Sequence, residues 1–205
     1  MSATFQEFLK YLECSLDRYE SELNKADRIV RFVESKIGTE NYWQVSPREL
    51  ANIYASVSLF RGPMIAETGV GPGSTSLAIL EASKEFRGRL YSFDLGEPYG
   101  EKKDRPVGFL VPENLLERWV FIRGDTRETL PKTLSYFGPF DLFLHDSEHT
   151  YDHVMFELET AIRNLKKRFL IMVDNYDWTE APDHFSKKHN LKLLPVVDDL
   201  CFIFP

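Results

Sequence analysis

The apolar positions of this chain follow two periods, and the switches between them mark its elements. From about Thr4 to Ser35, Phe5, Phe8, Leu9, Leu12 and Leu16, then Leu23, Ile29, Val30 and Val33, recur at helical spacing among charges, which predicts one or two amphipathic helices. Gly38 ends that region. Ser46-Pro-Arg-Glu49 has the form of a capping box with proline at the first helical position, opening a helix through Leu59 that carries Leu50, Ile53, Tyr54 and Val57. Short apolar runs then take over: Met64-Ile-Ala, Arg89-Leu-Tyr-Ser-Phe-Asp94, Trp119-Val-Phe-Ile-Arg-Gly-Asp125, Phe140-Asp-Leu-Phe-Leu-His-Asp146 and Arg168-Phe-Leu-Ile-Met-Val-Asp174. Helical stretches separate them, one ending near Phe86 before Gly88, one over Arg127 to Tyr136 and one from Tyr151 through Lys167. Strands alternating with helices predict an α/β chain with a largely parallel sheet, the run from Phe140 at its centre. After a short helix around Asp183 to His189, Leu191 to Val197 and Leu200 to Phe204 read as two strands joined by Asp198-Asp199, a hairpin. The division expected is a helical extension over 1–45, serving as a lid or dimer contact if not simply packed on the domain, and an α/β domain over 46–205.

Chemistry enters at Met64-Ile-Ala-Glu-Thr-Gly-Val-Gly-Pro-Gly-Ser-Thr-Ser-Leu. Gly69, Gly71 and Gly73 let a loop turn sharply and approach a ligand closely, and Ser74, Thr75 and Ser76 are expected to cap the helix that follows. Glu67, at the strand end, is expected to accept hydrogen bonds from the loop amides and to favour a ligand bearing positive charge or hydroxyls over a pyrophosphate. Asp94 ends the next strand 25 residues beyond Gly69, in the range of a ribose-binding carboxylate.

This loop resembles motif I of the class I S-adenosylmethionine-dependent methyltransferases, acid-x-Gly-x-Gly-x-Gly. The resemblance runs from about Ser46 to the C-terminus. It implies a Rossmann-like fold: a seven-stranded, mostly parallel sheet closed by an antiparallel C-terminal hairpin strand, with helices on both faces. It also implies that Glu67, Gly69, Gly71, Gly73, Ser74, Thr75, Asp94 and Asp146 hold S-adenosyl-L-methionine, and that Asp125 with Thr126 lies where the family contacts the adenine amino group. A strict dinucleotide spacing would need glycine at Ser74.

Two further strands end in acids, Asp146 and Asp174, one strand–helix–strand unit apart, with Asn175 following. Two carboxylates and an amide oxygen suit a hard divalent cation such as Mg²⁺. The same Asp…Asp-Asn set is that of the metal-dependent catechol-type O-methyltransferases. His145-Asp-Ser-Glu-His-Thr-Tyr resembles the Asp-x-x-His-x-Tyr motif of macrolide-sugar O-methyltransferases, which implies His149 as general base. Asn175 departs from the second aspartate of those sugar-modifying relatives, and Lys166-Lys-Arg168, read as a helix stop, departs from their Pro-Gly-Gly turn. His145, His149 and His153 recur every fourth residue as zinc ligands can, but His145 sits on the strand and points elsewhere.

Composition narrows the partners. A formal net charge of −7 with no evident basic face argues against nucleic acid, and no apolar run approaches the roughly 20 residues that span a bilayer. The first residues lack the features of a secretory signal, so a cytoplasmic location is expected, and Cys14 and Cys201 have no metal-type spacing. The expected partner is a hydroxylated small-molecule acceptor, with a homodimer through the N-terminal helices as an option. Tyr99, Lys102, Lys103 and Arg105, in the Gly- and Pro-rich stretch from Leu95 to Pro112, are placed to meet it. The function expected is O-methyl transfer; the rival is a protein that keeps the fold and nucleoside pocket without turnover, and an NAD-type oxidoreductase is a weaker third.

Overall fold

The computed structural model describes residues 2–98, 100 and 104–205; Tyr99, Lys102 and Lys103 lie outside them. Three helices come first: α1 (Ala3–Tyr11), α2 (Leu16–Ile37) and α3 (Pro47–Ser58). The capping box forms as expected, Ser46 Oγ accepting from the Glu49 amide and the Glu49 carboxylate accepting from the Ser46 amide. There follow β1 (Met64–Thr68), α4 (Ser74–Ala82), β2 (Arg89–Asp94), β3 (Trp119–Arg123), α5 (Thr126–Phe137), β4 (Phe140–His145), α6 (Tyr151–Ile162), β5 (Leu165–Val173), α7 (Ala181–His189), β6 (Lys192–Val197) and β7 (Leu200–Phe204).

The seven strands run in the order β3-β2-β1-β4-β5-β7-β6; all pairs are parallel except those of β7, which is antiparallel to both neighbours. Because successive strand residues face opposite ways, Leu142 and Leu144 of β4 and Leu170 and Met172 of β5 join a core with α1 to α4. Phe143, Ile171 and Val173 join a second core with α5, α6 and α7. Helices therefore cover both faces of the sheet. The first two pack on the domain: the Phe8 ring meets those of Phe202 and Phe204 at 5.1 and 5.3 Å, and the Tyr19 hydroxyl donates to Asn52 of α3.

Two boundaries differ from expectation. The helix after Gly73 is α-helical only to Ala82 and closes with a 3₁₀ turn over Lys84–Phe86. The helix from Tyr151 stops at Ile162, and Lys166-Lys-Arg168 belongs to β5 instead of a helix-stop turn. The apolar period continues through Leu165, yet that residue pairs with Phe140, and the register then slips so that Leu170 faces Leu142. Lys166 binds Asp141 at 2.8 Å in the slipped segment, while Tyr11 Oη donates to the Phe169 carbonyl and accepts from its amide, each at 2.7 Å. The Tyr11 hydroxyl thus takes the backbone groups of Phe169 that an unbroken ladder would have used.

The strand order reverses between β1 and β4. In a sheet of this type that reversal opens a crevice at the carboxyl ends of the strands.

Candidate active site

The glycine loop crosses the mouth of the crevice. Gly69 (φ +79°) and Gly71 (φ +50°) are both left-handed, but their surroundings differ: a Cβ on Gly69 would fall on the Asp146 carbonyl, whereas one on Gly71 would meet nothing closer than the Tyr42 carbonyl at 3.9 Å. Gly69 lets the chain pack on itself; Gly71 faces open cavity.

The acid that receives the loop amides is Asp94, not Glu67. Asp94 Oδ2 accepts from Val70 N at 2.9 Å and Gly71 N at 3.4 Å, and Oδ1 from Gly96 N at 2.7 Å. Glu67 lies fully buried beneath the loop, where its Oε1 accepts from Ser76 and Ser92, and its Oε2 has no partner. Burial pushes its carboxyl up to about 7, against which the serine hydroxyls pull. Ser74, Thr75 and Ser76 do not cap α4; the cap position is Gly73, without a side-chain bond. Ser74 lines the cavity, Thr75 is buried, and Ser76 ties α4 to Glu67.

Two cavities meet at Gly69, Asp94 and Ser147. The smaller, about 310 Å³, opens between Leu95, Asp125, Thr126 and His153. Asp125 caps α5 through Arg127 N at 2.8 Å, and the Thr126 hydroxyl lies 3.0 Å from His153 Nε2. The larger, about 560 Å³, holds the acids. Asp146, His149 and Asp174 each offer a ligand atom within 4.8 Å of the others, and so do Glu49, Asp174 and Asp199. The sequence-predicted Asp146, Asp174 and Asn175 are therefore brought to one cavity, with His149 beside them.

Electrostatically the cavity is under-compensated. No lysine or arginine is among the described residues that line it. Burial, and then the charge of Asp174, raises Asp146 well above the usual carboxylate range; burial likewise pushes Asp174 to about 6 and Glu49 to about 8. Asp174 is 7 % exposed and its Oδ1 has no partner. Asn175 donates from Nδ2 to Asp199 Oδ2 at 2.7 Å, which leaves its carbonyl oxygen for another partner. His149 is held down to about 4, by burial first and by His145 second, with its ring perpendicular to His145 at 5.3 Å and 5.4 Å from Trp178. His145 and His153 instead both turn to Glu157, so the three histidines do not converge as a zinc site would need. Arg105 stacks 5.0 Å from Phe109.

Glu49, Asp199, Trp43 and Trp178 were not singled out from sequence. Glu49 reads only as the third residue of a capping box, and it fills both roles. Asp199 reads as a turn residue; β7 runs antiparallel to β5 with Val173 opposite Cys201, and that register, which only the fold shows, puts Asp199 opposite Asn175.

Residues 66–176, more than half of the chain, match the family described as methyltransferase domain. No curated protein sequence matches. Among solved structures the chain resembles the S-adenosylhomocysteine-bound methyltransferase PaMTH1 of Podospora anserina, at 18 % identity over 88 % of this chain and 95 % of that one, with a TM-score of 0.58. It is also similar to CalS11, a TDP-rhamnose 3′-O-methyltransferase of calicheamicin biosynthesis (17 % identity, 97 % and 94 % covered, TM-score 0.59). A third is MycE of the mycinamycin pathway, solved with Mg and S-adenosylhomocysteine (18 %, 89 % and 54 %, TM-score 0.57), of which the chain spans about half. At these identities the likenesses establish a shared fold. With the sheet order, the glycine loop and the family match together, the chain belongs to the methyltransferase-domain family and is an S-adenosylmethionine-dependent methyltransferase of the Rossmann-like class I fold.

Proposed function

We propose that the protein methylates a hydroxyl of a small molecule, with S-adenosylmethionine as donor and a divalent cation beside Asp146 and Asp174. The observation that carries this is Asp174 Oδ1, a buried carboxylate oxygen with no partner, in a cavity where burial pushes three acids up and no lysine or arginine is among the described lining residues. All the donors there are hard oxygens apart from His149, which fits Mg²⁺ or Mn²⁺ better than a thiophilic metal. Asp146, Asp174 and the Asn175 amide oxygen would hold the ion, with Asp199 fixing the amide the right way round. A cation bound there supplies positive charge that lowers the pKa of an acceptor hydroxyl. On the donor side, Gly69 to Gly73, Ser74 and Asp94 would hold the amino acid and ribose portions, and Asp125 with Thr126 the adenine in the smaller cavity.

His149 is neutral near pH 7, and its half-buried ring can take the proton from the acceptor. A second role is favoured by its grouping with Asp146 and Asp174 inside 4.8 Å, that of a third cation ligand. MycE, which carries Mg, and CalS11, an O-methyltransferase, support the reading by likeness of fold. The test is calorimetric titration with S-adenosylmethionine, S-adenosylhomocysteine and NAD⁺, each with and without Mg²⁺, followed by Mn²⁺ soaks of crystals. The expected result is binding of both sulfur compounds but not NAD⁺, and a Mn²⁺ peak between Asp146 and Asp174. If His149 lies beyond bonding distance of the metal it is the base; if it ligates, the base assignment falls. Binding of none of the three would favour a protein that keeps the fold without turnover.

A further inference from the structure

The histidines at 145 and 153, spaced as if for a metal, both serve one carboxylate. Glu157 of α6 is fully buried and accepts four hydrogen bonds: Thr68 Oγ1 and His145 Nδ1 reach Oε2 at 2.5 and 2.7 Å, and His153 Nε2 and Ser147 Oγ reach Oε1 at 2.8 and 3.0 Å. Burial alone would push its carboxyl up, but the bonds from His145 and His153 outweigh burial and hold it below the usual range. The four donors come from different parts of the crevice. Thr68 immediately precedes Gly69, His145 immediately precedes Asp146, Ser147 immediately follows it, and the His153 Nε2 that donates to Glu157 lies 3.0 Å from the Thr126 hydroxyl, next to Asp125.

We propose that Glu157 is a positioning residue: its buried carboxylate holds the ends of β1 and β4 and the start of α5 in the arrangement that binds the cofactor. This rests on the reading that the crevice holds S-adenosylmethionine. A carboxylate suits the task because it only accepts, so all four donors can be satisfied at once. His145 donates to Glu157 from Nδ1, and its Nε2 is buried without a partner, so this one bond fixes the ring. The neighbours of Glu157 are thereby set in orientation as well as in place.

The test is E157Q, nearly isosteric, whose amide NH₂ must face two donors wherever it points. S-adenosylhomocysteine affinity is measured by calorimetry at a temperature where circular dichroism shows the variant folded, and it should fall at least about tenfold. ¹⁵N-histidine spectra of the wild type without ligand should show His145 carrying a proton on Nδ1, a pattern E157Q should lose. T68V, which cuts only the tie to the glycine loop, should weaken S-adenosylhomocysteine by about 3- to 10-fold and decides the matter should E157Q not fold. Wild-type-like affinity in folded E157Q or in T68V, or a His145 protonated at Nε2 alone in the wild type, overturns the proposal. A wild type that binds no S-adenosylhomocysteine refutes the cofactor reading instead, and the histidine spectra still judge the geometry.

Discussion

The two halves of the crevice are made of different material. On the β1–β2 side the surface is backbone: glycines of positive φ, loop amides turned inward, and one carboxylate, Asp94, that gathers them. On the β4–β5–β7 side it is side chain: Asp146, Asp174, Glu49 and Asp199, drawn from four separate segments and pushed together with too little positive charge. The first half is defined by what is missing at each Cα, so an added atom there either strikes the fold, as at Gly69, or takes up ligand space, as at Gly71. The second is defined by charge, so its side chains can be exchanged without collapse but the ion preference cannot survive the exchange. Geometry dominates one half and electrostatics the other.

The sharpest contrast lies inside the backbone half. Gly69→Ala drives a methyl into the Asp146 carbonyl, in a backbone conformation that disfavours side chains, and should cost more than about 4 kcal/mol, read as loss of a cooperative thermal transition. Gly71→Ala should cost only about 1 kcal/mol, because its Cβ points into open cavity, yet it should abolish S-adenosylhomocysteine binding. Equal stability losses in the two variants would mean that the loop moves as a unit and that the distinction between packing and ligand glycine is false.

Across the divide, Asp174→Ala should lower Mn²⁺ affinity by at least about 100-fold, near 3 kcal/mol, while S-adenosylhomocysteine binds within a fewfold of wild type. Calorimetry of both ligands in one preparation checks this. Parallel losses would show that the halves are energetically one site.

The same division decides what could be read from the chain. The glycine half was legible because its determinants are contiguous: Gly69, Gly71 and Gly73 announce a loop by spacing alone, and the strand-end acids Asp94, Asp146 and Asp174 follow from the α/β period. Even there, spacing misplaced Glu67, because whether an acid points to the loop or beneath it depends on which strand face its side chain takes. The strand at Leu165 was hidden for a similar reason: Leu165 fits the helical period, and only pairing with Phe140 takes it into the sheet. Glu49 and Asp199 are 150 residues apart and meet through Asp199 N and Glu49 Oε1 at 3.1 Å, a contact that no local pattern encodes. Glu157 was missed because it looks like one more charge on an amphipathic helix, and only its complete burial marks it.

Glu67 tests how far charge matters under the backbone half. Its carboxyl is raised to about 7 in the fold from an ordinary 4.5, so the folded state holds the proton more tightly than the unfolded chain does. Stability contributed by this group is therefore lost as pH rises from the ordinary value through the raised one, and the cost is complete above about 7. Gln resembles the protonated acid. Glu67→Gln should accordingly stabilise by about 3 kcal/mol at pH 8 and by less than about 1 kcal/mol at pH 5, read from urea unfolding at both values. A gain independent of pH would mean that the carboxyl titrates alike in the folded and the unfolded chain, so that burial does not raise it.

The smallest effect concerns the residue where the halves join. Asp94 lines both cavities, and its charge is spread over the amides of Val70, Gly71 and Gly96. Oδ2 is filled by two amides, but Oδ1 accepts from Gly96 alone, so a ribose hydroxyl can be received there without releasing the loop. Asp94→Asn keeps the shape and one acceptor while removing the charge and turning two donors toward amides that already donate. S-adenosylhomocysteine should then bind about 5- to 30-fold more weakly, 1–2 kcal/mol, the usual worth of a charge-assisted bond. Mn²⁺ should bind within about twofold of wild type, because the cation's carboxylates belong to other strands and Asp94's charge is already met by three amides. Calorimetry of both ligands reads the two arms together. An unchanged nucleoside affinity would leave Asp94 as a brace for the loop and nothing more, and an equal fall in both would mean that its charge is part of the acid cluster, so that the line between the halves belongs on its other side.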